Sequence, residues 1–332
     1  MSRRALLGLW IAAAALIVPV AHLALGRGVD WSELLAGTDT VSWRVLTELR
    51  LPRLVVALFA GTALGLAGLA LQSVLRNPLA APELTAVNPS AVLGYLIASG
   101  TGLIDGGSVF SSVLSATVGG LLGGGLLWLV AHRRTSEQTA VLGLLSALAL
   151  TGVVTILIAA RPTGVGGALR WLIGSVEARV AEHVPMIAIP VLAGFAALVL
   201  VADRLEILAV SDSHAHCLGV SPGFWRGVGI GIAVLLASAA VATVGPLAFV
   251  GFVAPHVVRL VFGGRLRRQV VLVAVCGGLF VAASDLIAKA VSLAIQLTGD
   301  GQQVGVPVGA VTCLIGAAAL VAVASSHQES EP

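Results

Sequence analysis

The sequence contains few charged residues. Lys, Arg, Asp and Glu make up 11% of its 332 residues, whereas hydrophobic residues make up 58% and the mean hydropathy is +1.02. A water-soluble globular protein carries about 25% charged residues, so this chain cannot cover a surface that faces water. The composition therefore excludes a soluble enzyme and a DNA-binding domain, and it indicates a protein that folds in lipid.

Cysteine and lysine are also scarce. The three cysteines, Cys217, Cys276 and Cys313, are far apart and form neither a disulfide framework nor a CxxC metal pattern. The single lysine, Lys289, lies in the run Ile-Ala-Lys-Ala, and the chain has no GxxxxGK[ST] loop that could cradle phosphates. We therefore expect no ATPase site on this chain, and ATP hydrolysis that serves it must take place elsewhere.

Ionisable side chains are almost absent from the interior of the apolar stretches. Away from the ends of these stretches the sequence has only His256 and Asp285. Ion-coupled transporters usually carry more intramembrane carboxylates, so the scarcity argues against proton or sodium coupling. We expect Asp285 to be a buried polar link to a neighbouring helix, with a substrate contact as the alternative. An enzyme within the membrane is disfavoured, because no nucleophile–base set is present.

Nine stretches lack Lys, Arg, Asp, Glu and His, and most approach the length of about 20 residues that a bilayer crossing needs. Each is predicted to be a helix, because backbone groups in lipid must bond within their own segment. The stretches are 5–21, 54–75, 84–104, 106–131, 138–160, 184–202, 227–255, 269–284 and 301–326. The stretch 269–284 is expected to continue to about Thr298.

The positions of arginine suggest a topology. Arg3 and Arg4 favour a cytoplasmic N-terminus by the positive-inside rule, and the first stretch is too long for the apolar region of a signal peptide. The cluster formed by Arg265, Arg267 and Arg268 should also lie inside, which requires two crossings between it and Arg226.

A turn signal at Gly245-Pro246 divides the long stretch into 227–244 and 247–262. We predict an all-α polytopic membrane protein of about ten transmembrane helices, with both termini cytoplasmic and one domain over residues 1–332. The glycines of Gly61-x-x-x-Gly65, with Gly68, and of the run Gly119 to Gly124 are predicted to be packing faces between helices.

Three separated blocks of the sequence resemble a known family. Residues 49–90 read LRLPRLVVALFAGTALGLAGLALQSVLRNPLAAPELTAVNPS, residues 245–259 read GPLAFVGFVAPHVVR, and residues 306–316 read VPVGAVTCLIG. In order, they resemble motifs of the FecCD/BtuC-like family of ABC importer permeases, which take up iron-siderophores and vitamin B12. The first block carries its pattern on Arg50, Pro52, Arg53, Gly68, Gln72, Asn77, Pro78, Leu79, Ala80 and Pro82.

The resemblance extends over about residues 5–325 and implies a BtuC-like type II ABC importer permease fold. It implies a permease subunit in the bacterial inner (plasma) membrane that moves an Fe(III)-siderophore, or cobalamin or haem, into the cytoplasm. The implied partners are two cytoplasmic ABC ATPase subunits that bind ATP and Mg, an extracytoplasmic substrate-binding protein and a second permease subunit, either identical or homologous. No nucleic acid and no directly bound cofactor are expected.

The resemblance also implies a cytoplasmic coupling segment within residues 203–226, which seats short helices in a groove of the ATPase. The segment is short, amphipathic and broken by glycine and proline, and helix-in-groove docking needs a few apolar anchors on such an element. The residues predicted to form it are Asp212, His214, Ala215, His216, Leu218, Gly219, Ser221, Pro222, Phe224 and Arg226. A metal site on His214, His216 and Cys217 is the disfavoured alternative. On a helix His214 and Cys217 share a face, whereas His216 points in another direction.

Positive charge outside the membrane opposes the positive-inside preference, so a partner is expected to select for it. The residues predicted to lie outside are Arg27, Arg44, Arg50, Arg53, Arg161, Arg170, Arg179 and Lys289. By the resemblance, Arg50 and Lys289 match basic residues that pair with acidic residues of the binding protein. Arg53 is a further candidate, for which a structural role is the stronger interpretation. The alternative for Arg50 is that it reaches toward lipid headgroups.

The translocation path, by the same resemblance, is lined by residues 138–160, about 165–178 and 306–324. Ser136, Glu137 and Gln138 are candidates for the inner gate, and Ser146, Thr151 and Thr155 for the polar wall. For these last residues, hydrogen bonds to the helix backbone are an equal alternative. The competing function is an ATP-independent secondary transporter.

Overall fold

Helices make up the regular secondary structure of the part of the chain that the computed structural model describes. The described residues are 3–26, 28–35, 37, 40–104, 108–131, 136–160, 173–298 and 305–328. The helices are α1 (Arg3–Ala24), α2 (Trp31–Leu35), α3 (Thr40–Arg44), α4 (Leu51–Leu75), α5 (Val87–Gly100), α6 (Val109–Ala131), α7 (Ser136–Ala159), α8 (His183–Val210), α9 (Asp212–Cys217), α10 (Pro222–Val244), α11 (Val250–Val261), α12 (Leu266–Thr298) and α13 (Val308–Gln328). A π-helix (Val45–Arg50) precedes α4 and a 3₁₀ helix (Pro82–Leu84) follows it.

Six helical segments among the described residues are long and apolar enough to cross a membrane. They are Val41–Leu75, Val109–Leu126, Val141–Ala159, His183–Val210, Pro222–Val244 and Leu266–Leu297, and three shorter apolar helices accompany them at Gly8–Ala24, Val250–Val261 and Val308–Val321. The all-helical membrane class is confirmed. The number of crossings and the side of the termini stay predictions.

The break after Val244 lies where the turn signal places it, whereas α8 continues to Val210, eight residues beyond the predicted apolar stretch 184–202. Helix α10 ends at Val244 and α11 begins at Val250, on either side of Gly245, whose φ of +77° suits a residue without a Cβ. Helix α12 runs through Asp285 to Thr298, as predicted. The short helices α2 and α3 and the π-helix were not predicted, because residues 31–50 carry no apolar stretch long enough to suggest regular structure.

Helix α4 lies at the centre of the molecule, in contact with α8, α10, α11 and α12. It packs at close range because small residues face each other. A Cβ on Gly61 would overlap the carbonyl of Gly277 on α12, and one on Gly68 would overlap the carbonyl of Gly251 on α11. A second pair of helices, α5 and α6, approaches in the same way at Gly94 and Gly119. The predicted role of the glycines as packing faces is confirmed.

We predict that Gly61→Ala destabilises the protein by about 1–3 kcal/mol, because the added methyl group cannot enter the contact with α12 unless two backbones separate. The midpoint of thermal unfolding in detergent, followed by circular dichroism, measures the effect. Gly125→Ala on α6 is the matched control, since a Cβ there meets no atom within 4 Å. Equal midpoints for the two variants would contradict the assigned contact.

Candidate coupling and docking surfaces

The short helix α9 is fixed at both ends by local hydrogen bonds. At its start the Ser211 hydroxyl oxygen accepts a hydrogen bond from the His214 amide at 3.0 Å, which is an N-cap. At its end the Gly219 amide donates to the His216 carbonyl at 3.0 Å and the Val220 amide donates to the Ala215 carbonyl at 2.8 Å. This is a Schellman motif, and it needs the φ of +70° that Gly219 adopts.

Asp212 connects α9 to the helix bundle. Its carboxylate accepts hydrogen bonds from the Arg226 guanidinium at 3.0 and 3.2 Å, and it also pairs with Arg76. Arg76 Nε donates to the Leu208 carbonyl at the end of α8 at 3.0 Å. Partial burial alone would raise the pKa of Asp212, but the bonds from Arg76 and Arg226 outweigh it and lower the pKa below its ordinary value. The ends of α4 and α10 therefore hold the first residue of α9, and Arg76 also links them to the end of α8.

The predicted coupling residues separate into a buried side and an exposed side. Ala215, Pro222 and Arg226 are buried against the bundle, and Asp212 is partly exposed. Leu218 and Phe224 are 54% and 59% exposed. His214, His216, Gly219 and Ser221 are exposed as well. The segment thus presents two large apolar side chains within a polar surface that is fixed to the bundle.

No cluster of three or more His, Cys, Asp or Glu side chains suited to a metal ion occurs in the part of the chain that the structure describes. Cys217 is a free, exposed thiol. The structure therefore adds no support for the alternative metal interpretation of His214, His216 and Cys217.

At the opposite end of α4, a buried carboxylate joins three helices. Arg53 on α4 donates to both oxygens of Asp285 on α12, at 2.8 and 2.7 Å, and His22 Nε2 on α1 lies 2.7 Å from Asp285 Oδ2. Asp285 is 1% exposed and His22 is fully buried. A lone buried carboxylate would be very unfavourable, so these partners stabilise it. The predicted link from Asp285 to a neighbouring helix is confirmed, and Arg53 is one of its partners.

Two more cations occupy the end of α1. Arg50 donates to the carbonyls of Leu23 at 2.6 Å and Ala24 at 3.3 Å, and Lys289 Nζ donates to the His22 carbonyl at 3.0 Å. The last carbonyls of a helix have no partner within the helix and carry partial negative charge, so both contacts are favourable. Arg50 is only 6% exposed. The predicted docking residues therefore also hold α1 against α4 and α12, and their docking role stays a prediction.

Two recesses open beside these cations, of about 190 and 330 Å³. Both are lined by Arg53 and Lys289; Arg50 and Arg179 line the larger one and Glu177 the smaller. Basic groups thus outnumber acidic ones here, and burial lowers the pKa of Arg179. The arrangement can accept a carboxylate from outside the protein.

The polar residues named as candidates for the inner gate and the wall of the translocation path lie on α7. The Thr151 hydroxyl donates to the Ala147 carbonyl at 2.7 Å and the Thr155 hydroxyl to the Thr151 carbonyl at 2.8 Å, so the backbone alternative is observed for both. Ser146 is partly buried and Gln138 is exposed. Ser136 begins α7 and Glu137 follows it, and their side chains lie outside the described residues. Their gate and wall roles remain predictions.

The outer segment of the predicted path is described from residue 173 onward, and residues 161–172 lie outside the described residues. The Ser175 amide donates to the Val244 carbonyl at 2.8 Å and the Gly309 amide donates to the Gly174 carbonyl at 3.1 Å. The segment is therefore inserted between the end of α10 and the start of α13.

Sequence reasoning missed Ser211, Arg76 and His22 as members of these sites. Ser211 carried a signal, because a serine one residue before an acidic helix start is a typical N-cap. No local sequence signal identified Arg76 or His22. The acidic partner of Arg76 is 136 residues away in the chain, and that of His22 is 263 residues away.

Comparison with known proteins gives one consistent result. A model of the FecCD transport family matches residues 9–326. The Fe(3+) dicitrate transport system permease protein FecD of Escherichia coli is 36% identical over 305 residues, which are 91% of this chain and 89% of that protein. The ferric enterobactin transport system permease protein FepG of Escherichia coli is 34% identical and covers 83% and 81%. The cobalamin import system permease protein BtuC of Halobacterium salinarum is 30% identical and covers 85% and 73%.

A solved structure described as an inward-facing conformation of a metal-chelate type ABC transporter superposes with a TM-score of 0.83. It covers 96% of this chain and 98% of its own, at 23% sequence identity. This likeness shows that the two chains share a fold.

The buried pair of Arg53 and Asp285 generates a prediction. Asp285→Asn should cost about 3 kcal/mol of unfolding free energy, because it leaves the charge of Arg53 without its partner. The double variant with Arg53→Gln should cost less than the two single costs combined, with a coupling energy of about 1–3 kcal/mol.

Reversible unfolding in mixed detergents measures this cycle. The exposed pair of Arg44 and Glu48, with side chains 72% and 60% exposed, is the matched control, and its coupling should be about 0–0.5 kcal/mol. Additive costs at Asp285 and Arg53 would show that the pair does not stabilise the contact between α4 and α12.

Proposed function

The chain belongs to the FecCD transport family, and from this premise we propose that it is the permease subunit of an ABC importer for an Fe(III) chelate. It is a multi-pass protein of the bacterial inner membrane, with six helical segments among its described residues that are long and apolar enough to cross a membrane. A siderophore or citrate complex of iron is the preferred cargo, because the relatives FecD and FepG carry such names. Cobalamin is the second candidate, on the strength of the relative BtuC. Haem stays an expectation from the resemblance.

The observation that carries the proposal is the construction of residues 203–226. A coupling element must be rigid enough to move the membrane helices and must present apolar anchors to a groove. Asp212 is bonded to Arg226 on α10 and to Arg76 at the end of α4, and Leu218 and Phe224 are exposed. We infer that these two side chains seat in a cytoplasmic ATPase subunit, which binds ATP and Mg.

In this scheme the ATPase supplies the free energy and the permease supplies two states. ATP binding and hydrolysis change the contacts at the coupling element, and these differential contacts bias an inward-open against an outward-open arrangement.

The remaining features are also proposals: ten crossings, both termini in the cytoplasm, no ATPase site on this chain and a second permease subunit. The exposed faces of α7 and α13 are the surfaces proposed to line a path between the two subunits.

On the outer side we propose that acidic residues of a substrate-binding protein enter the recesses beside Arg50, Arg53 and Lys289. Arg50 and Lys289 already bind carbonyls of α1, so a docking carboxylate would join or replace those contacts. Exposed ion pairs contribute only about 0–1 kcal/mol each, and a group of them mainly steers docking and fixes its orientation.

Transport by the reconstituted importer tests the function. With its ATPase, its binding protein and a ferric chelate, uptake should require ATP. Leu218→Asp should reduce uptake and recovery of the ATPase with the permease by about tenfold or more, because a carboxylate in an apolar groove is desolvated without a partner. Leu103→Asp is the matched control, as Leu103 is 78% exposed in the loop after α5.

Equal loss in both variants would remove the assignment of residues 203–226 as the coupling segment. Uptake that persists without the ATPase and collapses with the proton gradient would instead establish the secondary transporter.

Docking has its own test. Arg50→Gln combined with Lys289→Gln should weaken binding of the substrate-binding protein by about tenfold and flatten its salt dependence, while ATPase recovery stays unchanged. Glutamine keeps a neutral N–H donor at both positions, and a thermal scan verifies that the bundle stays folded. Surface plasmon resonance at several salt concentrations measures the affinity. Arg44→Gln is the control, and an unchanged affinity in the double variant would exclude the recesses as the docking site.

A further inference from the structure

An apolar groove runs along the surface between α1, α11 and α12, on a side of the molecule that neither the coupling segment nor the outer cations use. Its volume is about 330 Å³. Its lining is apolar apart from the thiol of Cys276, and it includes Trp10, Ala14, Val257, Phe280 and Ala283. Trp10 is 67% exposed at its rim. A membrane protein exposes such a groove to acyl chains, which are as apolar as its walls.

One end of the groove carries a concentration of positive charge. Arg265, Arg267 and Arg268 are exposed at the start of α12, just beyond the end of α11. Within the described residues no carboxylate forms an ion pair with any of them. Glu206 on α8 contacts this turn, where its carboxylate accepts a hydrogen bond from the Leu266 amide at 3.0 Å. Three arginines against one glutamate leave the turn positive.

The spacing between these charges and the groove matches half a bilayer. Arg265 directly precedes Leu266, the first residue of α12, which is ten residues and about 15 Å from Cys276 along the helix. Arg268 is about 12 Å from Cys276 by the same rise. The hydrocarbon region of one leaflet is about 15 Å thick, half of the bilayer core. A phosphate beside the arginines therefore places its acyl chain along the groove.

We propose that this groove is a binding site for an anionic phospholipid, with one acyl chain between α1, α11 and α12 and the phosphate beside Arg265 and Arg268. The inference depends on the chain lying in a membrane and not on the cargo. A second copy of the chain is a poorer occupant, because an isologous contact would set the same arginines of two subunits against each other. Basic sites between transmembrane helices are a known mode of anionic lipid recognition.

Native mass spectrometry of the full chain, purified in detergent, tests the site. We expect phosphatidylglycerol to be retained at least fivefold more than phosphatidylcholine with the same acyl chains. Arg265→Gln with Arg268→Gln should abolish this preference. Ala14→Phe should reduce retention of both lipids, because the ring fills the groove. The matched controls are Arg204→Gln, which removes an exposed arginine elsewhere, and Ala196→Phe, which adds a ring to an exposed position on α8; neither should change retention.

The results distinguish this proposal from the proposed function. Equal retention of the two lipids, or equal effects of the test and control variants, would overturn the lipid site while leaving ATP-driven uptake unaffected. Loss of a dimer of the chain in Ala14→Phe, with lipid retention unchanged, would assign the groove to a second copy instead.

Discussion

The structure depends on the close approach of three helix backbones at the centre of the bundle. Where α4 crosses α11, Gly68 lies against Gly251, and Gln72 Nε2 donates to the Gly251 carbonyl at 3.0 Å. Arg259 in turn binds Gln72 Oε1. In lipid there is no hydrophobic drive between helices and no water to satisfy a backbone carbonyl, so small residues and one well-placed amide together allow this contact.

The sequence blocks that identify the family meet at such contacts. Gly68 and Gln72 come from the first block, and Gly251 and Arg259 come from the second. In the third block, a Cβ on Gly316 would overlap the side chain of Phe249. These residues do not form a chemical centre. They fix how α4, α11 and α13 pack.

Ion pairs attach neighbouring helices to both ends of α4. At one end Arg76 and Arg226 hold Asp212, so a force on α9 reaches α4, α8 and α10 together. At the other end Arg53 and His22 surround Asp285, and buried charges of this kind are tolerated only when each has a partner. The proposed coupling and docking surfaces are therefore both attached to the same central helix. Events at either proposed surface can therefore reach one rigid element.

The sequence by itself determined the membrane class, the order of the apolar helices and the break at Gly245. These follow from local hydropathy, turn residues and a lack of charge, all of which act over a few residues. Only the tertiary structure decided that Arg50 is buried against α1, that Asp285 joins Arg53 to His22, and that Asp212 joins Arg76 to Arg226. It also decided which helices enclose the groove beside Arg265. Such partners are tens to hundreds of residues apart, and helix packing, which no local pattern encodes, brings them within bonding distance.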